Sequence, residues 1–214
     1  MQQQISLHSI LNYKKQIINM KYFFFQIYHN DSYLLEVDKV DRYKYVTCDI
    51  CNMILNKRSL IEAHLPFYRI KRKKYHLSGS YDGFNVVSQK FKDLYDTYKW
   101  DGLVFYPIPK NKDFHLIECT EIVVINKTKR PIEFECKCSK CNQYIGIYGS
   151  LPPYINFSEI RKMKTNTFYR SDLEFGYDFE QRYSLFASEE ITNVLKANGL
   201  INDKDLIEVV SIDK

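Results

Sequence analysis

At 214 residues, with 45% hydrophobic and 27% charged residues, the chain has the composition of an ordinary globular protein, with room for one good core or two small ones sharing a sheet. Seven Gly and six Pro exclude a collagen-like or Gly/Pro-rich disordered chain, and six Cys are too few for a secreted disulfide scaffold of this length. The net charge of +5 is too mild to decide for or against a nucleic-acid partner.

The opening "MQQQISLHSILNYKKQIINMKYFFFQIY" carries Lys on both sides of its apolar patches, and its longest run, Tyr22 to Phe25, is too short for the h-region of a signal peptide. No segment approaches the roughly 20 apolar residues of a membrane span. The expected compartment is the cytoplasm, whose reducing conditions favour metal over disulfide at C-x-x-C pairs. Residues 1–19 read as a detachable polar leader and 20–214 as a single α+β domain, with Met20 an alternative start. Met20 to Tyr28 then forms a buried first strand.

Strand-like runs rich in β-branched and aromatic residues follow at Tyr33 to Val37, Arg42 to Thr47, Phe67 to Tyr75, Leu103 to Ile108 and Phe114 to Ile125. Others lie at Ile132 to Cys136, Tyr144 to Tyr148, Tyr183 to Phe186 and Leu206 to Ile212. Two short helices begin at Ser88 and Ser188, each Ser standing at an N-cap before apolar residues of helical spacing. Around them runs an echo of strand, Ser cap, helix, Gly-Leu turn and strand. It reads either as a duplication or as two similar units, with Gly102 and Gly199 where a helix ends in a left-handed residue. The expected fold is α+β, mostly antiparallel, with a zinc-ribbon-like insert of two knuckles.

Those knuckles are Cys48-Asp-Ile-Cys51-Asn52 and Cys138-Ser-Lys-Cys141-Asn142. A C-x-x-C turn sets two sulfurs on one side while backbone amides stabilise the first thiolate. The residue after the second Cys turns back with positive φ, which Gly and Asn tolerate best. Asn at that spot in both pairs marks them as a matched set. Strand-like flanks, Tyr43 to Thr47 and Phe134 to Cys136 leading in, Met53 to Leu55 and Tyr144 to Ile147 leading out, make each a hairpin tip. Cys48, Cys51, Cys138 and Cys141 are therefore the expected ligands of a structural Zn²⁺, a closed four-sulfur set without an open position for chemistry. Such a site supplies on the order of 10–16 kcal/mol of apparent folding free energy.

Rival readings remain at this point. One is that one C-x-x-C pair is merely buried thiol; another is that Cys136, two residues before Cys138 on a strand and so facing the same way, replaces Cys138 as ligand. Cys48, Cys51 and His64 follow the spacing of a two-Cys, two-His finger, but Tyr68, Arg69 and Ile70 stand where the second His belongs and Pro66 would break its helix. Cys119, in an apolar run, reads as an inert core thiol.

No phosphate loop, G-x-S-x-G, H-E-x-x-H or EF-hand loop occurs, and the five His show no metal or catalytic spacing, so no enzyme is expected. Asp172, Glu174, Asp178 and Glu180 read as a solvated acidic face. The basic run Arg69 to Lys74, flanked by Tyr68 and Tyr75, suits a phosphate backbone and stacked bases. The plain reading is a Lys-rich edge strand that resists aggregation. A second basic run spans Asn126 to Arg130.

The double C-x-x-C arrangement, the strand "MKYFFFQIY" and the closing "DLEFGYDFEQRYSLFASEEITNVLKANGLINDKDLIEVV" resemble the bacterial double-CxxCG motif proteins, which look akin to immunity proteins of polymorphic toxin systems. Both motifs depart from that pattern, with Asn52 and Asn142 where the family has Gly. The resemblance implies a cytosolic protein that neutralises a cognate protein toxin by occluding it. The alternative is a zinc-ribbon nucleic-acid binder using a strand at 69–74.

Overall fold

The computed structural model describes residues 20–34, 46–149 and 151–212; the leader 1–19 and most of the expected strands at 33–37 and 42–47 lie outside them. The protein is α+β with mostly antiparallel strands. Its strands are β1 (Tyr22–Phe25), β2 (Leu77–Gly79), β3 (Asn85–Ser88), β4 (Leu103–Pro107), β5 (Phe114–Cys119), β6 (Ile122–Val123), β7 (Glu133–Lys137), β8 (Tyr144–Tyr148), β9 (Tyr154–Asn156), β10 (Tyr169–Tyr177), β11 (Arg182–Ser188), β12 (Leu206–Glu208) and β13 (Val210–Ile212). The α-helices are α1 (Lys57–His64), α2 (Gln89–Thr97), α3 (Phe157–Ile160) and α4 (Glu189–Ala197).

One sheet runs β12-β1-β11-β10-β8-β7, with β6 pairing β10; a second runs β2-β3-β5-β4; β13 and β9 form a parallel pair. The expected echo is built into both main sheets. Strands β3 and β4 both lie antiparallel to β5 between them, and β11 and β12 both lie antiparallel to β1. Ser88 stands opposite Phe114 and Ser188 opposite Tyr22. The next amide in each helix donates to the carbonyl just before the partner strand, Gln89 to Asp113 at 2.7 Å and Glu189 to Lys21 at 2.9 Å. The order β2-β3-β5-β4 thus matches β10-β11-β1-β12, with β1 from the start of the described chain in the place of β5.

Local chemistry sets both helices. The Ser88 hydroxyl accepts from Phe91 N and that of Ser188 from Ile191 N, each at 3.3 Å, satisfying amides that have no partner inside the helix. Each helix closes with the same pair of bonds. Trp100 N donates to Tyr95 O and Leu200 N to Leu195 O, both at 3.0 Å, while Lys99 N and Gly199 N donate to Asp96 O and Lys196 O, the Schellman pattern. The left-handed residue is Gly199 (φ 70) in α4, as expected, but Lys99 (φ 52) in α2. Gly102 (φ 89) is not the counterpart of Gly199. It is required by packing, since a Cβ there would lie 2.3 Å from the Phe168 carbonyl oxygen.

Phe25, Leu185 and Ala187 of the first sheet meet Val87, Ile117 and Cys119 of the second, with Phe91 of α2 and Ile191 and Leu195 of α4 between them. Phe168 is fully buried there, within 5.7 Å of both Phe91 and Trp100 by ring centroid. The opposite faces are covered too. Val86, Phe114 and Leu116 pack against Leu60 and Ile61 of α1 and against Val46 and Ile54; Tyr22, Tyr169 and Phe186 pack against Ile155 and Ile160. Burial on both faces accounts for the unbroken burial of β3.

Four expectations need correcting. Phe67 to Tyr75 is not a strand: a 3₁₀ turn, Leu65–Phe67, leads into an irregular segment. In the stretch 69–74 only Ile70 is apolar and buried; the charged residues around it give a ladder no alternating face to bury. Phe114 to Ile125 breaks into β5 and β6, and Leu206 to Ile212 into β12 and β13. Two further helices, α1 and α3, join the two expected; α1 is started by Asn56, whose side chain accepts from Ser59 N at 3.0 Å.

Candidate metal centre

The first knuckle is a minimal hairpin tip. Thr47 bridges Ile54, and Leu55 N donates to Val46 O at 2.7 Å. The second knuckle closes the β7–β8 hairpin, whose register runs from Glu133 opposite Tyr148 to Lys137 opposite Tyr144. The two turns match bond for bond. Asn52 N donates to Cys48 O at 2.8 Å and Asn142 N to Cys138 O at 3.0 Å; Cys48 N donates to Met53 O and Cys138 N to Gln143 O, both at 2.9 Å. Asn52 and Asn142 have φ 59 and 60, the left-handed turn expected from their residue type.

All four expected sulfurs, from Cys48, Cys51, Cys138 and Cys141, come within 4.8 Å of one another. Cys48 Sγ is 3.8 Å from Cys138 Sγ, and Cys51 Sγ is 3.5 Å from Cys141 Sγ. A tetrahedron with zinc–sulfur bonds of about 2.3 Å has edges of about 3.8 Å. The donor set and the spacing fit a structural Zn²⁺, and a closed S₄ set leaves the metal no position for substrate.

Electrostatics divides the sulfurs by their place in the turn. Backbone amides of Cys141 and Lys140 draw the Cys138 thiol down to about 6, and those of Cys51 and Ile50 lower that of Cys48. Desolvation pushes Cys51 up to about 12 and raises Cys141. The first Cys of each knuckle is thus the preorganised thiolate, and a dication draws the remaining protons off the second. Across the mouth, Lys140 of one knuckle meets Asp49 of the other at 2.8 Å. Both are exposed, so this pair aligns the tips more than it stabilises them.

The rival ligands fall away. Cys136 is exposed and has φ 45, a left-handed twist that breaks the alternation which would have aimed it beside Cys138. His64 ends α1 and does not belong to the sulfur cluster. Cys119 is 1% exposed, and burial pushes its thiol up to about 12, as an inert core thiol requires.

Beneath the knuckles opens a cleft of about 400 Å³, lined by Met53, Ile54, Gln143 and Tyr144 from the turns and by Arg170 and Glu174 of β10. Three of the four residues of the expected acidic face, Asp172, Glu174 and Asp178, line it, and two of them are paired: Asp172 with Lys127 at 2.8 Å, and Glu174 with Lys57. Neither Lys57 nor Arg170 was marked by any sequence motif; each is placed by an element, α1 or β10, that composition did not reveal. Among the described residues no helix is long and apolar enough to cross a membrane.

Fold and site together define an α+β protein with a four-cysteine structural zinc site that joins two distant hairpin tips. No family model and no curated protein matches the chain.

Proposed function

We propose that this is a zinc-stabilised binding protein of the cytoplasm, acting as an immunity protein that neutralises a cognate protein toxin by covering its working surface. The observation that carries the binding part is the closed set of four sulfurs on matched knuckles: a metal so enclosed shapes a surface and performs no chemistry. The immunity part rests on the resemblance of the two knuckles and the closing segment to the double-CxxCG proteins. Exposed aromatic side chains such as Phe67 and Tyr177 suit a contact surface, since rings add contact area at small entropic cost.

The reading requires a neighbouring upstream gene that encodes a large protein with a variable C-terminal toxin domain, and co-expression with that domain tests it. Rescue of growth, with the two proteins co-purifying, is the expected result. Failure of both, for a chain shown by elemental analysis to carry one zinc, removes the immunity reading and leaves the structural zinc in place.

A further inference from the structure

We propose that the irregular segment 69–75 and the turn at 110–112 together form a binding surface for single-stranded nucleic acid, a function separate from toxin neutralisation. Arg69, Lys71, Arg72, Lys73 and Lys74 are all exposed, while Ile70 is buried at 4% and anchors the segment. The Ile70 amide donates to the buried Asn111 side chain at 2.8 Å. That bond brings exposed Lys110 and Lys112 beside Arg69 and Lys71. Nothing in the sequence joins these two runs; the fold does. The carboxylates around this surface are Asp31, taken by Arg72 at 2.5 Å, exposed Asp113, Asp205 against Tyr28, and Glu180 near His29 and Tyr33.

Edge protection does not account for these charges. The outer edge of β2 is already covered by residues 28–30: Gly79 N donates to Tyr28 O at 2.8 Å and Asn30 N to Gly79 O at 2.9 Å. Arg72 lies outside that cover, donating its amide to Asn30 O. The cations guard no open ladder, so the usual reason for a Lys-rich edge is absent.

Aromatic rings run along the same surface. Tyr75 stacks on Tyr28 with centroids 5.4 Å apart and planes at 16°, and Lys74 lies 4.8 Å from the Tyr75 ring. Tyr81 stacks with His29 at 4.7 Å and meets Tyr33 at 5.0 Å. Cations interleaved with stacked rings suit unpaired bases on a phosphate backbone. The cations sit on irregular chain rather than on a helix that would enter a duplex groove, which favours a single strand.

The test is fluorescence anisotropy of a labelled twenty-nucleotide mixed-sequence DNA strand with the zinc-loaded chain, from 50 to 200 mM KCl. Five cations without an ion pair or ring contact among the described residues (Arg69, Lys71, Lys73, Lys110 and Lys112) predict a salt slope of about −3.5, close to a hundred-fold weakening over that range. K71E/K73E and K110E/K112E should each weaken binding ten-fold or more and flatten the slope. Tyr75→Ala should weaken it without changing the slope, and K129E/R130E in the other basic run should change nothing. Zinc content and circular dichroism report that each variant is folded. The proposal is overturned by absence of saturable binding at 50 mM KCl, or by a K110E/K112E variant that binds normally. Equal affinity for the matching duplex, or competition by polyglutamate as strong as by unlabelled strand, also overturns it, the last pointing to an acidic protein partner.

Discussion

Replacing Cys51 by Ala leaves three sulfurs where a tetrahedral ion needs four. The consequence follows from what the ion ties together. Cys48 and Cys138 are separated by 90 residues, and a cross-link closing a loop of that length removes about 4–5 kcal/mol of unfolded-state entropy in the chain-entropy model. A domain of this size has total stability of about 5–15 kcal/mol, so the clamp is a large share of it. At 2–4 °C per kcal/mol for chains of 150–250 residues, the melting temperature should fall by roughly 8–20 °C. Zinc per chain, measured by elemental analysis, should drop from one towards zero. Stripping the wild type with a strong chelator should reproduce the fall, and restoring Zn²⁺ should reverse it only in the wild type. Cys136→Ser, which changes an exposed thiol outside the cluster, should alter neither number. A Cys51→Ala protein that keeps one zinc, or one that loses zinc with its melting temperature moved by less than about 3 °C, would refute the reasoning.

Three backbone predictions test the match between the two helical units. Gly102→Ala must place a methyl 2.3 Å from the Phe168 carbonyl oxygen at φ 89 and should cost roughly 3 kcal/mol. Gly199→Ala meets nothing within 4 Å and should cost only the roughly 1 kcal/mol of a left-handed Ala. Lys99→Gly, at the true counterpart of Gly199, should stabilise by a few tenths of a kcal/mol up to about 1, read from urea unfolding midpoints; a loss of stability would break the correspondence. Ser88→Ala and Ser188→Ala should each cost about 1 kcal/mol or somewhat more, because each capping hydroxyl has a second partner, His76 Nδ1 at 2.8 Å for Ser88 and the Thr165 carbonyl at 2.5 Å for Ser188; an unchanged midpoint for either in chemical denaturation would count against the assigned roles.

The metal centre was legible because its rules are local. The spacing of Cys48 and Cys51, the Asn at 52 and 142 and the Ser at 88 and 188 each act within four residues, and each does in the fold what its chemistry demands. What misled was likeness of letters without a common origin for counting. Gly102-Leu103 and Gly199-Leu200 look alike, but counting from the Ser caps sets Lys99 against Gly199 and Trp100 against Leu200. Strand β10, the longest, was hidden because Arg170, Asp172 and Glu174 line a cleft and read as a polar face, while a register shift between Arg170 and Glu174 breaks the period. The segment 69–74 was read as a strand from its neighbours Tyr68 and Tyr75. In the fold Tyr68 is anchored instead by buried polar partners, Asn30 and Ser32, at 3.3 and 2.8 Å, which no periodicity announces.

The topology also explains why a metal is needed where it stands. The two matched units share one core, and that core lies between their sheets, on the side of α2 and α4. The first knuckle belongs to the outer layer of one unit, with Val46 and Ile54 packed over Val86 and Leu116. The second belongs to the β10-β8-β7 extension of the other unit's sheet, and β7 is exposed along its whole length. Between them lies the cleft, held from the far side by Lys57 reaching Glu174 and the Gln181 carbonyl and by Arg182 donating to Ser80 O at 2.5 Å. Two half-exposed hairpin tips bury too little apolar area to hold one another. Four metal–sulfur bonds concentrate the missing free energy at a single point and leave the surrounding surface free to be polar, charged and available for contact.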